Sequence, residues 1–477
     1  MGLLARRELG GRRVEALPAD AAVRVGQETL YLALKMASGE QIGLFQMAQA
    51  AERRQDRDGV RTRLQARLAL DMFGRPADLR LQGVLWQGGD RAEIEALARS
   101  GDTDFKLDGR LADGKLEATL DTAGEKVPFS LNLGRQLFLD SGLGAALRLP
   151  TCAEGEVLRF ESFDPLTLSS TPARLECLGE ETLHLAGEEV RVRKLAVGSG
   201  GLESLAWVDP DGNVLRAETP FGLVLEKISA REALELFAGS AARDQAASAQ
   251  EGPGLLGFTA IKPGGLAPFR GARRLLLKVA GGPPPPADDA QAPLPDGSFE
   301  IVADRRPGGG GERPADLAPF LRAEPLIQSD HPRIVEMARQ IAGSEKDPAR
   351  QALLLHEWVF LRIDKEPVMS LPSALEVLER RRGDCNEHAV LYVALARALG
   401  LPSRVAIGLV WSDEQAGFFY HAWPEVLLAD GWHRYDPTLD QSPADATHLK
   451  LLAGGVESWP QLAAFLGRLE IAVLAAE

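Results

Sequence analysis

Three side chains that together can carry nucleophilic catalysis follow one another near the C-terminus: Cys385, His421 and Asp436. A thiol that attacks an acyl carbonyl needs a base that takes its proton and later protonates the leaving group. That base in turn needs an acceptor for its second ring nitrogen. We therefore predict a catalytic site in which Cys385 is the nucleophile, His421 is the base and Asp436 orients the base.

The segment around the cysteine, RRGDCNEHAVLYVALARALG, predicts a helix that begins near Cys385. Asp384 can cap the free N–H groups of the first turn, and Glu387, three residues later, can complete a capping box. The helix should end at Gly400, because a proline follows two residues later. Most positions between are apolar, so we expect a central, buried helix. Its positive end is expected to lower the pKa of the thiol.

The segment YHAWPEVLLADGWHRYDPT predicts a hairpin that carries the base and its acceptor. A two-residue turn, centred either on Ala429 and Asp430 or one residue later, puts His421 and Asp436 on the same sheet face. The first register sets Asp436 opposite Trp423 and within side-chain reach of His421. The second leaves the pair too far apart, so we predict the first.

In their order and with their neighbours, the motifs GDCNEHA, ALARALGLPSRVAIGLVW and HAWPEVLLADGWHRYDPT resemble the transglutaminase-like superfamily, whose catalytic core is papain-like. The resemblance covers roughly residues 318–477. It implies that Cys385 attacks an acyl carbonyl, that His421 shuttles the proton and that Asp436 fixes His421.

The resemblance also implies an oxyanion hole made by the backbone N–H of Cys385 and one donor from upstream in the chain. His356 and Trp358 are candidates by residue type, although core packing is the better interpretation of Trp358. His388, one turn beyond the cysteine, is interpreted as a buried, hydrogen-bonded histidine. The chain has seven histidines without a clustered ligand spacing, so we predict no metal site and no cofactor.

The resemblance extends to bacterial proteins in which this core follows a large β-rich region and precedes a DATH segment, found here at Asp445 to His448. Many such proteins look exported or anchored in the cell envelope. We therefore expect a periplasmic or envelope location with the leader missing from this chain, and a cytoplasmic location is the alternative. Cys152 and Cys177 are spaced for a disulfide, but the reduced state is almost equally well supported.

Composition limits the classes of protein to consider. The chain of 477 residues is 45% apolar and 26% charged, which is typical of a soluble globular protein of about three domains. A formal charge of −14 argues against nucleic acid as a partner. No apolar run is long enough to predict a membrane helix.

Hydrophobic periodicity divides the chain. Short alternating runs up to about residue 235 predict an antiparallel meander or curled sheet, and beyond residue 318 the period changes to that of helices. We predict an α+β protein with a papain-like core of helices packed on an antiparallel sheet, preceded by a large antiparallel β-rich domain. The predicted units are 1–24, an N-terminal segment from a leader or anchor region; 25–240, the β-rich domain; 241–317, a linker with a small β segment; and 318–477, the catalytic domain.

The function expected from these features is thiol-dependent acyl transfer on peptide or glutamine side-chain amides. It would proceed through a Cys385 thioester, with hydrolysis as protease or amidase slightly favoured over cross-linking as a transglutaminase. The alternative is a non-catalytic module of the bacterial envelope that binds a peptide or protein in the same groove. The expected partners are a protein or peptide substrate and an envelope protein bound by the N-terminal domain. The oligomeric state stays open.

Overall fold

The structure is a computed structural model, and most of the predicted segment 1–24 and the start of the predicted linker lie outside the residues that it describes. The described residues are 15–16, 29–36, 39–54, 56–72, 75–100, 103–122, 124–132, 137–139, 152–164, 169–199, 202–219, 223–236, 260–303, 314–366, 373–454, 465 and 469–477.

One sheet of 16 strands makes up the N-terminal part of the described chain. Its strands are β1 (Glu15–Ala16), β2 (Leu30–Lys35), β3 (Gln41–Arg54), β4 (Arg57–Met72), β5 (Arg75–Gly88), β6 (Arg91–Ser100), β7 (Thr103–Ala112), β8 (Lys115–Thr122), β9 (Glu125–Asn132), β10 (Leu137–Leu139), β11 (Val157–Asp164), β12 (Ser169–Leu185), β13 (Glu188–Ser199), β14 (Leu202–Val208), β15 (Val214–Glu218) and β16 (Val224–Ile228).

Two meanders join in the middle of this sheet. The first runs from β2 out to β9, and the second runs from β11 back to β16, which pairs with β2. Together they form 14 antiparallel strands, while β1 and β10 pair in parallel with β11. The antiparallel β-rich region predicted from alternating hydrophobicity is thus confirmed.

The hairpin between β14 and β15 shows why alternating runs joined by turn residues fold in this way. Gly212 takes a φ of 84°, and Asp209 accepts backbone hydrogen bonds from Asp211 and Asn213 at 2.9 Å each. Such a turn favours glycine and short polar side chains, because they tolerate a positive φ and replace missing backbone bonds.

Cys152 and Cys177 lie side by side in this region as free, buried thiols. The Cys177 thiol donates to the carbonyl oxygen of Cys152 over 3.3 Å. Burial, followed by the Cys177 thiol, raises the pKa of Cys152.

The described residues contain five helices, four of them in the C-terminal half, and none of the five is long and apolar enough to cross a bilayer. A 3-10 turn covers Ala318–Phe320. The helices are α1 (230–236), α2 (Pro332–Ala342), α3 (Pro348–Arg362), α4 (Ala374–Arg380) and α5 (Cys385–Ala398).

Among the described residues, three further sheets belong to the C-terminal half. They comprise a five-stranded sheet of β17 (Gly264–Gly265), β18 (Arg274–Ala280), β19 (Gln291–Pro293), β20 (Phe299–Val302) and β27 (Glu470–Ala476); a pair of β21 (Asp364–Lys365) and β22 (Arg382–Gly383); and a four-stranded sheet in the order β25 (Gly431–Arg434), β24 (Gly417–Leu428), β23 (Ser403–Ser412) and β26 (Leu449–Gly454).

Helix α5 is the centre of the C-terminal unit, as its apolar sequence predicts. Every residue from Glu387 to Arg397 is buried, and the helix packs between the other helices and β24. The hydroxyl of Tyr392 satisfies its hydrogen bond on the carbonyl of Ala352, at 2.9 Å. Truncating a large buried side chain of this helix should lower the free energy of unfolding by about 2 to 5 kcal/mol. The tightly packed helix therefore provides a stable support for Cys385 at its first position.

The last strand, β27, pairs with β18, which lies some 200 residues earlier in the predicted linker segment. Leu275 and Phe299 of that segment share one apolar cluster with Trp411 and Phe418 of the four-stranded sheet. Residues 264–302 therefore pack as part of the C-terminal unit. The sequence-based division at residue 317 assigned them to a separate linker segment, because this contact joins residues far apart in the chain.

The large sheet and the helical unit meet along β9. Glu125 lies 2.6 Å from His331 Nε2 and 2.9 Å from an Arg333 guanidinium nitrogen, and Val127 packs on the helical core. The Thr122 hydroxyl reaches the buried carboxylate of Glu376 at 3.4 Å.

Candidate active site

Cys385 is the first residue of α5, and a complete capping box precedes it. The Asp384 carboxylate accepts from the Asn386 N–H at 2.9 Å, and Glu387 accepts from the Asp384 N–H at 3.0 Å. A Cβ at Gly383 would lie 2.3 Å from the Cβ of Glu387, so this position needs glycine. The predicted helix start is confirmed. The cap explains the aspartate before Cys385, and the close approach of Glu387 explains the glycine before that aspartate.

The half-buried thiol of Cys385 meets the open edge of β24. Strand β25 pairs only with the end of β24, from Glu425 to Leu428. The Ala422 N–H, which lies before that paired stretch, donates to the Cys385 sulfur. The thiol therefore lies against the backbone of the residue that follows His421.

The surroundings of the thiol raise its pKa, contrary to the prediction. Burial, then the negative charges of Asp384 and Glu387, raise the pKa of Cys385 well above its usual value, while the Ala422 N–H acts in the opposite direction. The prediction considered the helix end alone and was wrong because burial disfavours the thiolate, and the capping carboxylates beside the thiol add to this effect. The resting group is therefore a neutral thiol that has to pass its proton to a base as it attacks.

His421 and Asp436 are in direct contact inside the protein. His421 Nε2 lies 2.8 Å from Asp436 Oδ2, and both side chains are buried. Leu428 pairs with Gly431, which confirms the two-residue turn at Ala429 and Asp430. Because Nε2 binds Asp436, Nδ1 is left for a proton from the nucleophile.

Asp436 is saturated with hydrogen bonds. Its Oδ1 accepts from the N–H groups of Thr438 and Leu439 at 2.9 and 3.0 Å, and its Oδ2 accepts from His448 at 3.0 Å as well as from His421. Burial alone would raise the pKa of Asp436, but these two histidines outweigh it and hold the pKa well below its usual value. Asp436 is therefore an ionised, immobilised carboxylate.

His448 is a site residue that sequence reasoning missed. It is fully buried, and besides Asp436 it contacts Asp445, whose Oδ1 lies 3.2 Å from His448 Nδ1. Burial lowers the pKa of His448, but the two carboxylates reverse this and raise it to about 9. The signal was present in the DATH segment, where an aspartate precedes a histidine by three residues, but only the folded chain brings that segment to Asp436.

The buried ring of Trp423 packs beside the imidazole of His421. This fully buried ring lies 6.3 Å from that of His421 and 5.1 Å from that of His448, measured between centroids. A large apolar ring here excludes water and strengthens the electrostatic interactions between the histidines and Asp436.

The ligand atoms of His421, Asp436 and His448 all lie within 4.8 Å of one another, so they are the metal-compatible group within the described chain. Both nitrogens of His448 are engaged by carboxylates, and Asp436 Oδ2 already accepts from two imidazoles. A metal ion would have to displace these protons. The donor set fits a hydrogen-bonded relay better than a metal centre.

The two residues considered as oxyanion-hole donors, and the histidine one turn beyond Cys385, have distinct surroundings. His356 is buried with Nε2 3.4 Å from Asp440, and its Nδ1 has no partner among the described residues. Trp358 packs on the helical core with the Arg381 guanidinium 4.5 Å above its ring, in line with the core interpretation. His388 is hydrogen-bonded, with Nδ1 2.7 Å from the Asp384 carbonyl oxygen.

Residues 335–437 match the sequence model of the transglutaminase-like superfamily. This part of the chain is a transglutaminase-like domain. The matched residues include Cys385, His421 and Asp436. An uncharacterized protein of Haemophilus influenzae is 29% identical over 100 residues, which make up 20% of this chain. The chain spans only 27% of the length of that relative.

Two solved structures are similar at lower identity. A "Putative Cysteine Protease from Cytophaga hutchinsonii" is 17% identical, with a TM-score of 0.28, and the match covers 46% of this chain and 86% of that one. A "Putative Protease from Parabacteroides distasonis" is 11% identical, with a TM-score of 0.21, over 59% of this chain and 66% of that one. The family assignment rests on residues 335–437.

Proposed function

We propose that the transglutaminase-like domain catalyses thiol-dependent acyl transfer on peptide or glutamine side-chain amides. The observation that carries the proposal is the buried contact of His421 with Asp436, at 2.8 Å, beside a thiol that already binds the Ala422 N–H. Cys385 at the start of α5, His421 on β24 and Asp436 just beyond β25 are the nucleophile, base and orienting carboxylate that this chemistry requires.

In the acylation step, the Cys385 sulfur forms a bond to the amide carbon while its proton passes to Nδ1 of His421. The resulting imidazolium is stabilised through Nε2 by the ionised Asp436. It returns the proton to the leaving nitrogen as the C–N bond breaks, so that ammonia or an amine departs and a thioester remains. The raised pKa of Cys385 makes this concerted transfer to His421 necessary, because little thiolate is present at neutral pH.

In the second step, water or a primary amine attacks the thioester, and His421 takes its proton. The C–S bond then breaks and the thiol of Cys385 is regenerated. Water yields a carboxylic acid, as in a protease or amidase, and an amine yields a new amide, as in a transglutaminase. We favour hydrolysis, and the product distinguishes the two.

The decisive experiment offers a glutamine-containing protein with and without a labelled primary amine to the wild type and to Cys385→Ala. We expect ammonia or new peptide termini from the wild type, an acyl adduct on Cys385 by mass spectrometry, and no product from Cys385→Ala. His421→Asn should also be inactive. His433→Asn is the matched control, because His433 lies on the same hairpin and its Nε2 is 2.7 Å from the exposed carboxylate of Asp430. Product formation that survives in Cys385→Ala would contradict the mechanism.

The second candidate is a peptide-binding module without turnover, and the raised pKa of Cys385 favours it because such a thiol is a weak nucleophile. It predicts that wild type and Cys385→Ala bind the same peptides with equal affinity. It also predicts that no acyl adduct forms on the wild type during prolonged incubation.

A further inference from the structure

His448 lies between two carboxylates in the interior of the C-terminal unit. Its Nε2 is 3.0 Å from Asp436 Oδ2, its Nδ1 is 3.2 Å from Asp445 Oδ1, and its side chain is fully buried. The proposed acyl-transfer mechanism uses His421 and Asp436 but assigns no role to this second histidine.

Asp445 is built to remain ionised. Its Oδ1 accepts from the Thr447 N–H at 2.9 Å and hydroxyl at 2.6 Å, and its Oδ2 accepts from Gln441 Nε2 and from the Gly271 N–H at 2.7 Å each. An acceptor-only group therefore faces Nδ1 of His448, just as Asp436 faces Nε2. Both ring nitrogens then have to donate, which requires the imidazolium form.

We propose that His448 is a positioning residue of this site, a buried imidazolium that bridges Asp436 and Asp445 and thereby both fixes Asp436 and lowers the basicity of His421. The inference rests on the proposed function, because it assigns His421 the role of base. Asp436 shares Oδ2 between two histidines, so this oxygen is not available to His421 alone.

The direction of the effect follows from charge. Asp436 alone would favour a proton on His421, and the positive His448, with its ring centroid 5.8 Å from that of His421, opposes it. At an effective dielectric constant of 20, one unit charge at that distance shifts a titration midpoint by about two pH units. The charged groups that face His448 are Asp436, Asp445 and Arg434, whose guanidinium donates to the His448 carbonyl at 3.2 Å, and the titratable group beside it is His421.

The test is an NMR titration of the whole chain with ¹⁵N-labelled histidine, which gives signals from only seven side chains. In the wild type, both nitrogens of His448 should be protonated at pH 7.5. In His448→Asn, the titration midpoint of His421 should rise by about one to two units. His433→Asn, the control on the neighbouring strand, should leave the His421 midpoint unchanged. An unchanged midpoint in folded His448→Asn overturns the proposal.

Asp445→Asn is the second variant and keeps the inference testable if His448→Asn does not fold, as judged by near-UV circular dichroism. It should lower the midpoint of His448 and raise that of His421. If the His448 midpoint falls while that of His421 does not move, the proposal is wrong.

The titration needs no turnover, so the two hypotheses fail separately. A missing acyl adduct on Cys385 together with the predicted His421 shift would reject the proposed function alone. Turnover with an unmoved His421 midpoint would reject only the role of His448.

Discussion

The two halves of the molecule use charge in opposite ways. On the large sheet, ion pairs cross neighbouring strands in contact with solvent: Arg57 lies 2.6 Å from Asp90, with 43% and 41% of the side chains exposed. In the C-terminal unit, Lys450 lies 2.8 Å from Glu425, with 2% and 0% exposed. The first arrangement favours solubility, and the second fixes the positions of strands around the site.

The buried charged residues of the C-terminal unit contact one another and form a single group. Lys450 and Arg434 contact both Glu425 and Asp288, and Arg404 binds Glu425 at 2.7 Å while covering Trp432. Asp288 precedes β19, so the group links the small sheet to β24 and β26. Burial alone would raise the pKa of Asp288, but Arg434 and Lys450 hold it well below its usual value. Charges of this kind contribute to geometry more than to net stability.

The largest effect should come from the buried carboxylate at the site itself. Asp436→Asn replaces an acceptor of four hydrogen bonds by a group with two N–H donors, so it should lower kcat/KM by about 10⁴-fold. Steady-state kinetics with the glutamine-containing protein that the wild type turns over measures this effect. Asp430→Asn, on the exposed turn of the same hairpin, is the control and should change kcat/KM less than about twofold. Comparable losses in both variants would contradict the role given to Asp436.

Breaking the buried group should be the next largest effect. Lys450→Met leaves Glu425 and Asp288 with one cation fewer in the interior, and we expect the free energy of unfolding to fall by about 3 to 5 kcal/mol. Urea unfolding followed by tryptophan fluorescence measures it. A loss below about 1 kcal/mol would mean that the buried and exposed pairs are equivalent.

The pH dependence of the free energy of unfolding should show whether His448 is protonated in the folded chain. Its pKa is about 9 in the folded chain and roughly 6.5 when unfolded, so its contribution is fully present below pH 6.5 and is lost as the pH rises through 9. The free energy of unfolding of the wild type should therefore fall by roughly 3 kcal/mol across that window, relative to His448→Asn. Parallel curves for the two proteins would show that His448 is not charged when folded.

The smallest effect should be that of an exposed pair. Arg57→Met removes the contact with Asp90 on the large sheet and should change the free energy of unfolding by less than about 1 kcal/mol. The same difference should shrink further in 1 M salt, because exposed charges are screened. A change as large as that of Lys450→Met would remove the contrast between the two halves.

Local patterns predicted much of the C-terminal unit. The capping residues Asp384 and Glu387 set the start of α5, and the turn at Ala429 and Asp430 set the register that brings His421 to Asp436. Both depend on contacts between residues that are close in sequence, and such contacts are what residue patterns encode. The alternating runs of the large sheet are of the same kind.

Contacts between distant segments escaped prediction for the same reason. The pairing of β27 with β18 and the approach of His448 to Asp436 join parts of the chain whose spacing carries no pattern. The direction of the Cys385 pKa shift also depended on how deeply the thiol is buried and which carboxylates lie beside it.

The sequence by itself thus determined which residues begin α5, which hairpin carries the histidine and the aspartate, and that thiol chemistry is the expectation. Only the tertiary structure decided that Cys385 is a neutral thiol, that Asp436 serves two histidines, and that His448 lies between two ionised carboxylates. The physical reason is that desolvation and the field of neighbouring charges depend on three-dimensional distance, whereas capping and turn geometry depend on separation along the chain.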